Sequence, residues 1–150
     1  MLLITILSII FTILDQASKY SVINYLNKDI EVINNFFYLI YTKNNGAAFS
    51  ILTGKRLFLI IITLLIIGSL IYYIIKNEIS SKIEILAFSL IIGGSLGNLI
   101  DRITRGYVVD FISVKIFGYH FPIFNIADTL ICIGVFILLI IQFRKERKSW

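Results

Sequence analysis

The chain has 150 residues, is 58% apolar, and carries one proline, one cysteine and a net charge of +5, with a mean hydropathy of +0.91. Soluble domains keep an apolar share of about 45–50% with glycine counted, so a water-soluble domain is excluded; the lone Cys132 excludes an intrachain disulfide framework. The positive charge does not indicate nucleic acid, because four basic residues crowd the last seven positions and the rest are scattered, a distribution suited to anionic lipid head groups.

Four apolar stretches predict membrane-spanning helices at about 2–22, 57–75, 85–100 and 123–143. The second is free of charge throughout and long enough to cross a hydrocarbon core of roughly 30 Å at about 1.5 Å per residue. The first has no charged leader and no small-residue cleavage site before Lys19, so it is read as a retained span. Between the first two, the stretch EVINNFFYLIYTKN is alternating, β-branched and aromatic, and an NNG turn follows it. It predicts a small interfacial sheet. The link at 76–84 carries Lys76, Glu78, Lys82 and Glu84 and reads as a solvated loop. Cys132, inside the last apolar run, is expected to be a small buried thiol. The expected fold is therefore an all-α membrane protein in a single domain: four transmembrane helices with a small β-containing extracytoplasmic segment between helices one and two.

Counting charges does not orient this chain. With both termini cytoplasmic, six basic residues lie inside and eight outside, so the positive-inside rule does not choose between the two orientations. Cytoplasmic termini are preferred because the basic tail abuts its span. A second consequence of four spans is independent of orientation. The end of span one, the start of span two, the end of span three and the start of span four share a side, and Asp15, Gln16, Lys19, Asn44, Asn98, Asp101, Arg102, Asp110, Asn125 and Asp128 all fall there. Asp128 is placed five residues inside its span, where a charge costs about 2.5–3.5 kcal/mol on insertion scales and marks function. Asp101, Arg105 and Lys115 are read as interfacial charges held by water and lipid head groups.

Spacing adds physical sense. Asp15 and Lys19 stand at i and i+4 with the acid first, the better order for a helical ion pair. Gly94, Asn98 and Arg102 form one stripe, while Gly93 and Gly97 make a small-residue face that lets a neighbouring helix approach closely. His120 is the only histidine and sits between Tyr119 and Phe121, as an aromatic-belt residue would. No HExxH or Cys/His cluster is present for zinc, and Lys19 beside Ser18 would not face it on a helix. What remains is carboxylate chemistry by Asp110 and Asp128. Two close aspartates titrate in separate steps, so one can accept a proton from water while the other hydrogen-bonds a carbonyl. The chain between them must fold back, and Gly118 and Pro122 supply the turn. A proton-coupled transporter using Asp15, Arg102 and Asp128 is the competing class. The gathering of polar residues on one side weighs against it. A metal-dependent lipid-head-group transferase lacks its paired-aspartate helix motif here.

The blocks Asp15-Gln16 with Lys19, NNGAAF from Asn44, GGSLGNLIDR from Gly93, VVDF from Val108 and FNIAD from Phe124 together resemble the bacterial lipoprotein signal peptidases, signal peptidase II. The resemblance runs in order over almost the whole chain. It implies an aspartic endopeptidase of the bacterial cytoplasmic membrane that cleaves a prolipoprotein signal peptide before a diacylglyceryl-modified cysteine. Asp110 and Asp128 would be the catalytic pair, with Asp15, Lys19, Asn44, Gly94, Asn98, Arg102 and Asn125 supporting it or contacting substrate. The same resemblance implies no metal or cofactor and a site toward the outer face. Membrane lipids and prolipoproteins are the expected partners of a monomer that binds no nucleic acid. Phe121 stands before Pro122 where the family often carries tryptophan.

Overall fold

A computed structural model describes residues 1–47 and 51–147. Its four long helices are α1 (Leu2–Tyr25), α2 (Arg56–Lys76), α3 (Lys82–Thr104) and α4 (Ile126–Arg147). Each is long and apolar enough to cross a membrane. The strands are β1 (Ile30–Ile33), β2 (Phe37–Asn44), β3 (Val108–Ile116) and β4 (Tyr119–His120), joined as one antiparallel sheet in the order β1-β2-β3-β4.

α3 is the central helix. It packs against α4 and α1 and more lightly against α2, and most of its apolar window is buried while the other three turn broad faces outward. Its composition explains the position, because small residues point to both neighbours. A Cβ on Gly93 would lie 2.7 Å from Phe11 Cβ and 2.8 Å from the Ser8 carbonyl, and one on Gly97 would strike the Asp15 carboxylate. On the other side, Gly94 abuts the Ala127 carbonyl of α4, and Gly134 of α4 abuts Ile91 and Ala87. Backbones this close exchange polar contacts. Thr12 Oγ1 donates to the Gly93 carbonyl at 3.0 Å and Gln16 Nε2 to the Gly97 carbonyl at 3.0 Å. These are the close, small-residue contacts by which helices associate in lipid, where no hydrophobic force drives them together.

The two ends of the bundle differ. At the start of α3, Ile4, Ile74, Phe88 and Ile92 form an apolar cluster. The other end is polar, and there α3 stops at an Arg105-Gly106 cap: both amides donate to the Asp101 carbonyl, with Gly106 at φ 87°, a conformation glycine adopts without steric cost. Arg56, the first residue of α2, caps the same terminus by donating to the carbonyls of Arg102 (2.6 Å) and Ile103 (2.8 Å).

The structure corrects four expectations. The sheet is not confined to the segment between α1 and α2, because β3 and β4, from the chain between α3 and α4, complete it. The fold is thus mostly helical rather than all-α. α4 begins at Ile126 rather than 123, since Phe124 pairs with Ile112 of β3. Asp128 consequently stands in the first helical turn instead of deep in the span. The link expected at 76–84 shortens too, because α3 already starts at Lys82. Cys132 is exposed rather than buried.

Candidate functional site

Asp110 is the third residue of β3, and its strand position follows from pairing with β2, where Thr42 lies opposite Asp110 and Asn44 opposite Val108. Asn44 Nδ2 reaches across to donate to Asp110 Oδ2 at 2.9 Å. Asp128 is fixed differently. Asn125 precedes α4, its Oδ1 accepting the Asp128 N–H at 2.9 Å while the Asn125 N–H donates back to Asp128 Oδ2 at 3.3 Å. This reciprocal arrangement is a capping box: two backbone donors at the helix start are satisfied, and the carboxylate is held at the positive end of the helix dipole.

A pair of amides joins the two aspartates. Asn125 Nδ2 donates to Asp110 Oδ1 at 2.6 Å and to Asn98 Oδ1 at 3.1 Å, and Asn98 Nδ2 donates to Asp128 Oδ1 at 2.8 Å. Each carboxylate is therefore addressed by an amide that also touches the other's partner. Asn98 Oδ1 further accepts a hydrogen bond from Lys19 Nζ at 2.9 Å.

Lys19 is fully buried and makes ion pairs with Asp15 Oδ2 (2.8 Å) and Asp101 Oδ2 (3.1 Å), both fully buried as well. Asp101 also pairs with Arg105 and accepts from Gln16 at 3.1 Å. Charges so placed survive only by compensating one another. Among the described residues no buried side-chain polar atom lacks a partner. The two structural aspartates also grip backbone: Asp101 Oδ2 accepts the Val109 N–H and Asp15 Oδ1 the Ala127 N–H, each at 3.0 Å. Val109 and Ala127 are the residues immediately before Asp110 and Asp128.

Both aspartates line a cavity of about 560 Å³, together with Asn44, Asn98, Arg102, the Phe121–Phe124 stretch and the α4 face from Thr129 to Cys132. Arg102 Nη2 donates to the Gly46 carbonyl at 3.0 Å, holding the chain after β2 over this cavity. Asp110, outside the spanning helices, has its pKa pushed up to about 6. Burial is the main cause and the Asp128 charge adds to it, while the Asn44 and Asn125 hydrogen bonds and Lys19 oppose the rise. Among the described residues no group of three or more His, Cys, Asp or Glu side chains is placed to hold a metal ion.

Every site residue read from the sequence has a place here. Asp15, Lys19, Asn44, Asn98, Asn125, Asp110 and Asp128 form one hydrogen-bonded network, Arg102 lines the same cavity, and Gly94 lets α4 approach. Ala48 and Phe49 of the NNGAAF block lie outside the described residues. Asp101 and Arg105 are not the interfacial charges expected: Asp101 is fully buried in the network, and Arg105 pairs with it. Their i, i+4 spacing was the available signal. Nothing local in the sequence announced Arg56 as the cap of α3. His120 is not among the residues that line the cavity; it lies on β4, its ring 5.7 Å from that of Tyr38.

Four apolar helices carrying a buried polar network and a carboxylate-lined cavity at one end define a multi-pass membrane protein with an enzyme-like site. A family model described as Signal peptidase (SPase) II matches residues 7–144. The lipoprotein signal peptidase of Halalkalibacterium halodurans is 40% identical over 146 residues, covering 96% of this chain and 94% of the relative; that of Staphylococcus aureus is 44% identical over 146 residues, covering 96% and 89%. A bacterial membrane enzyme solved by the in meso method at 2.3 Å resolution superposes with a TM-score of 0.91 at 40% identity, covering 98% of this chain and 91% of that one. A second, solved at 1.9 Å, gives 0.84 at 42% identity, covering 93% and 91%. The chain belongs to the signal peptidase II family of membrane peptidases.

Proposed function

We propose that the chain is an aspartic endopeptidase that removes the signal peptide from diacylglyceryl-modified prolipoproteins, cutting before the lipidated cysteine, with Asp110 and Asp128 as the catalytic pair. The observation that carries this reading is the amide bridge: Asn98 and Asn125 hold carboxylates from a strand and from a helix against one cavity. A water between the carboxylates loses its proton to the ionised member while the protonated member hydrogen-bonds the scissile carbonyl. The roles reverse as the tetrahedral intermediate collapses and the amine leaves. An Asp110 carboxyl near pH 6 suits this exchange, since close to neutrality both states are within reach.

The supporting residues divide by what they touch. Asn44, Asn98 and Asn125 orient the pair; Asp15 and Lys19 anchor the backbone beneath it; Arg102 holds the chain over the cavity; Gly94 lets α4 close on α3. The apolar side of the cavity, from Phe121 to Phe124 and along α4 to Cys132, faces where lipid would lie and suits a diacylated substrate entering sideways. We place both termini in the cytoplasm and the site toward the outer face of a bacterial cytoplasmic membrane, with a monomer as the working unit and the whole chain as one domain. The test is incubation of the purified protein with a diacylglyceryl-modified precursor, with and without EDTA. Release of the signal peptide in both supports the reading. Asp110→Asn and Asp128→Asn should each abolish release while the protein stays folded and inserted; full activity in either variant refutes the pair.

A further inference from the structure

At the end of the sheet away from the cavity lies an apolar feature that the network does not use. The β3–β4 turn leaves Phe117 97% and Tyr119 80% exposed. Its two central residues have positive φ, 50° at Phe117 and 83° at Gly118, the pattern of a two-residue hairpin turn that favours Asn, Asp or Gly in the first position. A phenylalanine there is unfavourable for the backbone, and it packs on almost nothing. The β1–β2 turn lies alongside: the Lys115 N–H donates to the Phe36 carbonyl at 2.8 Å, and Ile33 and Phe36 are exposed too. Two turns from distant parts of the chain thus meet at one tip, where Phe117 and Tyr119 stand beside Ile33 and Phe36, with Asn34 and Asn35 at the bend of the first turn.

Its position relates it to the membrane-spanning helices. β3 leaves the end of α3 that holds the site, and from Asp110 to Phe117 along it is about 23 Å at about 3.3 Å per residue. The chain then returns through Phe121–Phe124 along the cavity rim to α4, whose Ile133 and Phe136 are exposed. Exposed apolar side chains thus occur at the tip (Phe117, Tyr119), on the returning stretch (Phe121) and on α4 itself, and Lys115, two residues before Phe117, offers a cation to head-group phosphate.

We propose that this paired tip is a lipid-inserting wedge, with Phe117 at its point, that enters the head-group and upper acyl region of the leaflet on the site's side and holds the cavity rim at that depth. Aromatic side chains favour this zone, and apolar surface buried there binds in proportion to its area. The wedge requires the chain to lie in a membrane but does not require the aspartic mechanism, so its test reads position rather than cleavage. Trp150 is the only tryptophan. The full chain carrying Trp150→Phe with Phe117→Trp is reconstituted into phosphatidylcholine–phosphatidylglycerol vesicles, with Tyr119→Trp as a second probe in the same background. The expected result at both positions is blue-shifted emission, quenched by lipids brominated in the upper acyl chain and shielded from aqueous iodide. Iodide quenching without bromolipid quenching would put the tip in water and overturn the proposal. Blue-shifted emission without bromolipid quenching would mean that protein, such as a second copy, covers the tip, and would overturn it equally.

Discussion

Lys19→Met tests whether the buried charges act as one unit. The ammonium has three partners, Asp15 Oδ2 at 2.8 Å, Asn98 Oδ1 at 2.9 Å and Asp101 Oδ2 at 3.1 Å, which use all three of its donors. Methionine fills much the same volume but, among the described residues, leaves Asp15 with no cation within ion-pair distance and Asp101 with Arg105 alone. Removing one partner of a buried ion pair costs about 3–5 kcal/mol, because the remaining charge stays out of water. For a chain of this length, 1 kcal/mol moves the melting temperature by roughly 2–4 °C, so the variant should melt roughly 6–20 °C lower in detergent micelles. Adding Asp15→Asn removes the orphaned charge yet keeps an oxygen for the Ala127 N–H, so the double variant should melt above Lys19→Met alone. That non-additivity is the signature of coupled groups. A fall below about 3 °C, or a double variant no more stable than the single one, would show that the ammonium does not hold this network together.

Other outcomes follow from the same geometry. Asn44→Ala removes a donor that stabilises ionised Asp110, so the acidic limb of the kcat/KM profile, expected near pH 6, should move up by on the order of one pH unit, since a hydrogen bond to a charged group contributes about 1.5–3 kcal/mol; an unmoved limb contradicts the assignment. Because the Asp110 pKa is raised in the fold, its protonated form favours folding, and this contribution is present below pH 3.8 and lost as pH rises through about 6. Asp110→Asn should therefore melt at or above the parent at pH 8, with the gap closing below pH 4, as read in thermal scans across that range. Gly93→Ala puts a Cβ 2.7 Å from Phe11 Cβ and should prise α1 from α3, lowering the melting temperature. Gly68→Ala, with nothing within 4 Å of the added carbon, should leave it unchanged or raise it by a few degrees.

The features legible in the sequence were those fixed by spacing within one helix. Asp15 with Lys19, the Gly93/Gly97 face and the Gly94, Asn98, Arg102 stripe all lie at separations the helix itself enforces, and each meets its partner. Elements whose form depends on a distant partner were harder to read. VVDFISVKI is a strand because Phe37–Asn44, more than sixty residues earlier, pairs with it, and no local pattern names that partner. Ile123 and Phe124 extend the apolar run of α4 in hydropathy, yet Phe124 bonds to β3, so the helix starts later than composition suggests. The N-x-x-D spacing of Asn125 and Asp128 was a truer marker of the helix start than hydropathy. Cys132 went astray for a related reason: hydropathy places a residue in a span, but only the packing of distant elements decides whether its side of the helix is buried or opens onto a cavity.

Asp15 and Asp101 also explain how the two proposed catalytic carboxylates are kept in register. Asp110 sits near the start of a strand and Asp128 in the first turn of a helix, positions where chain ends fray. Each is fixed through the preceding residue, whose N–H is held by a carboxylate of the buried network: Val109 by Asp101 and Ala127 by Asp15. Lys19 bridges those two carboxylates, so the backbone beneath one catalytic candidate is tied to the backbone beneath the other. None of these anchoring bonds uses an oxygen of Asp110 or Asp128. Protonating or ionising either one leaves its anchor intact, so the spacing of the two proposed catalytic carboxylates is held by bonds in which neither takes part.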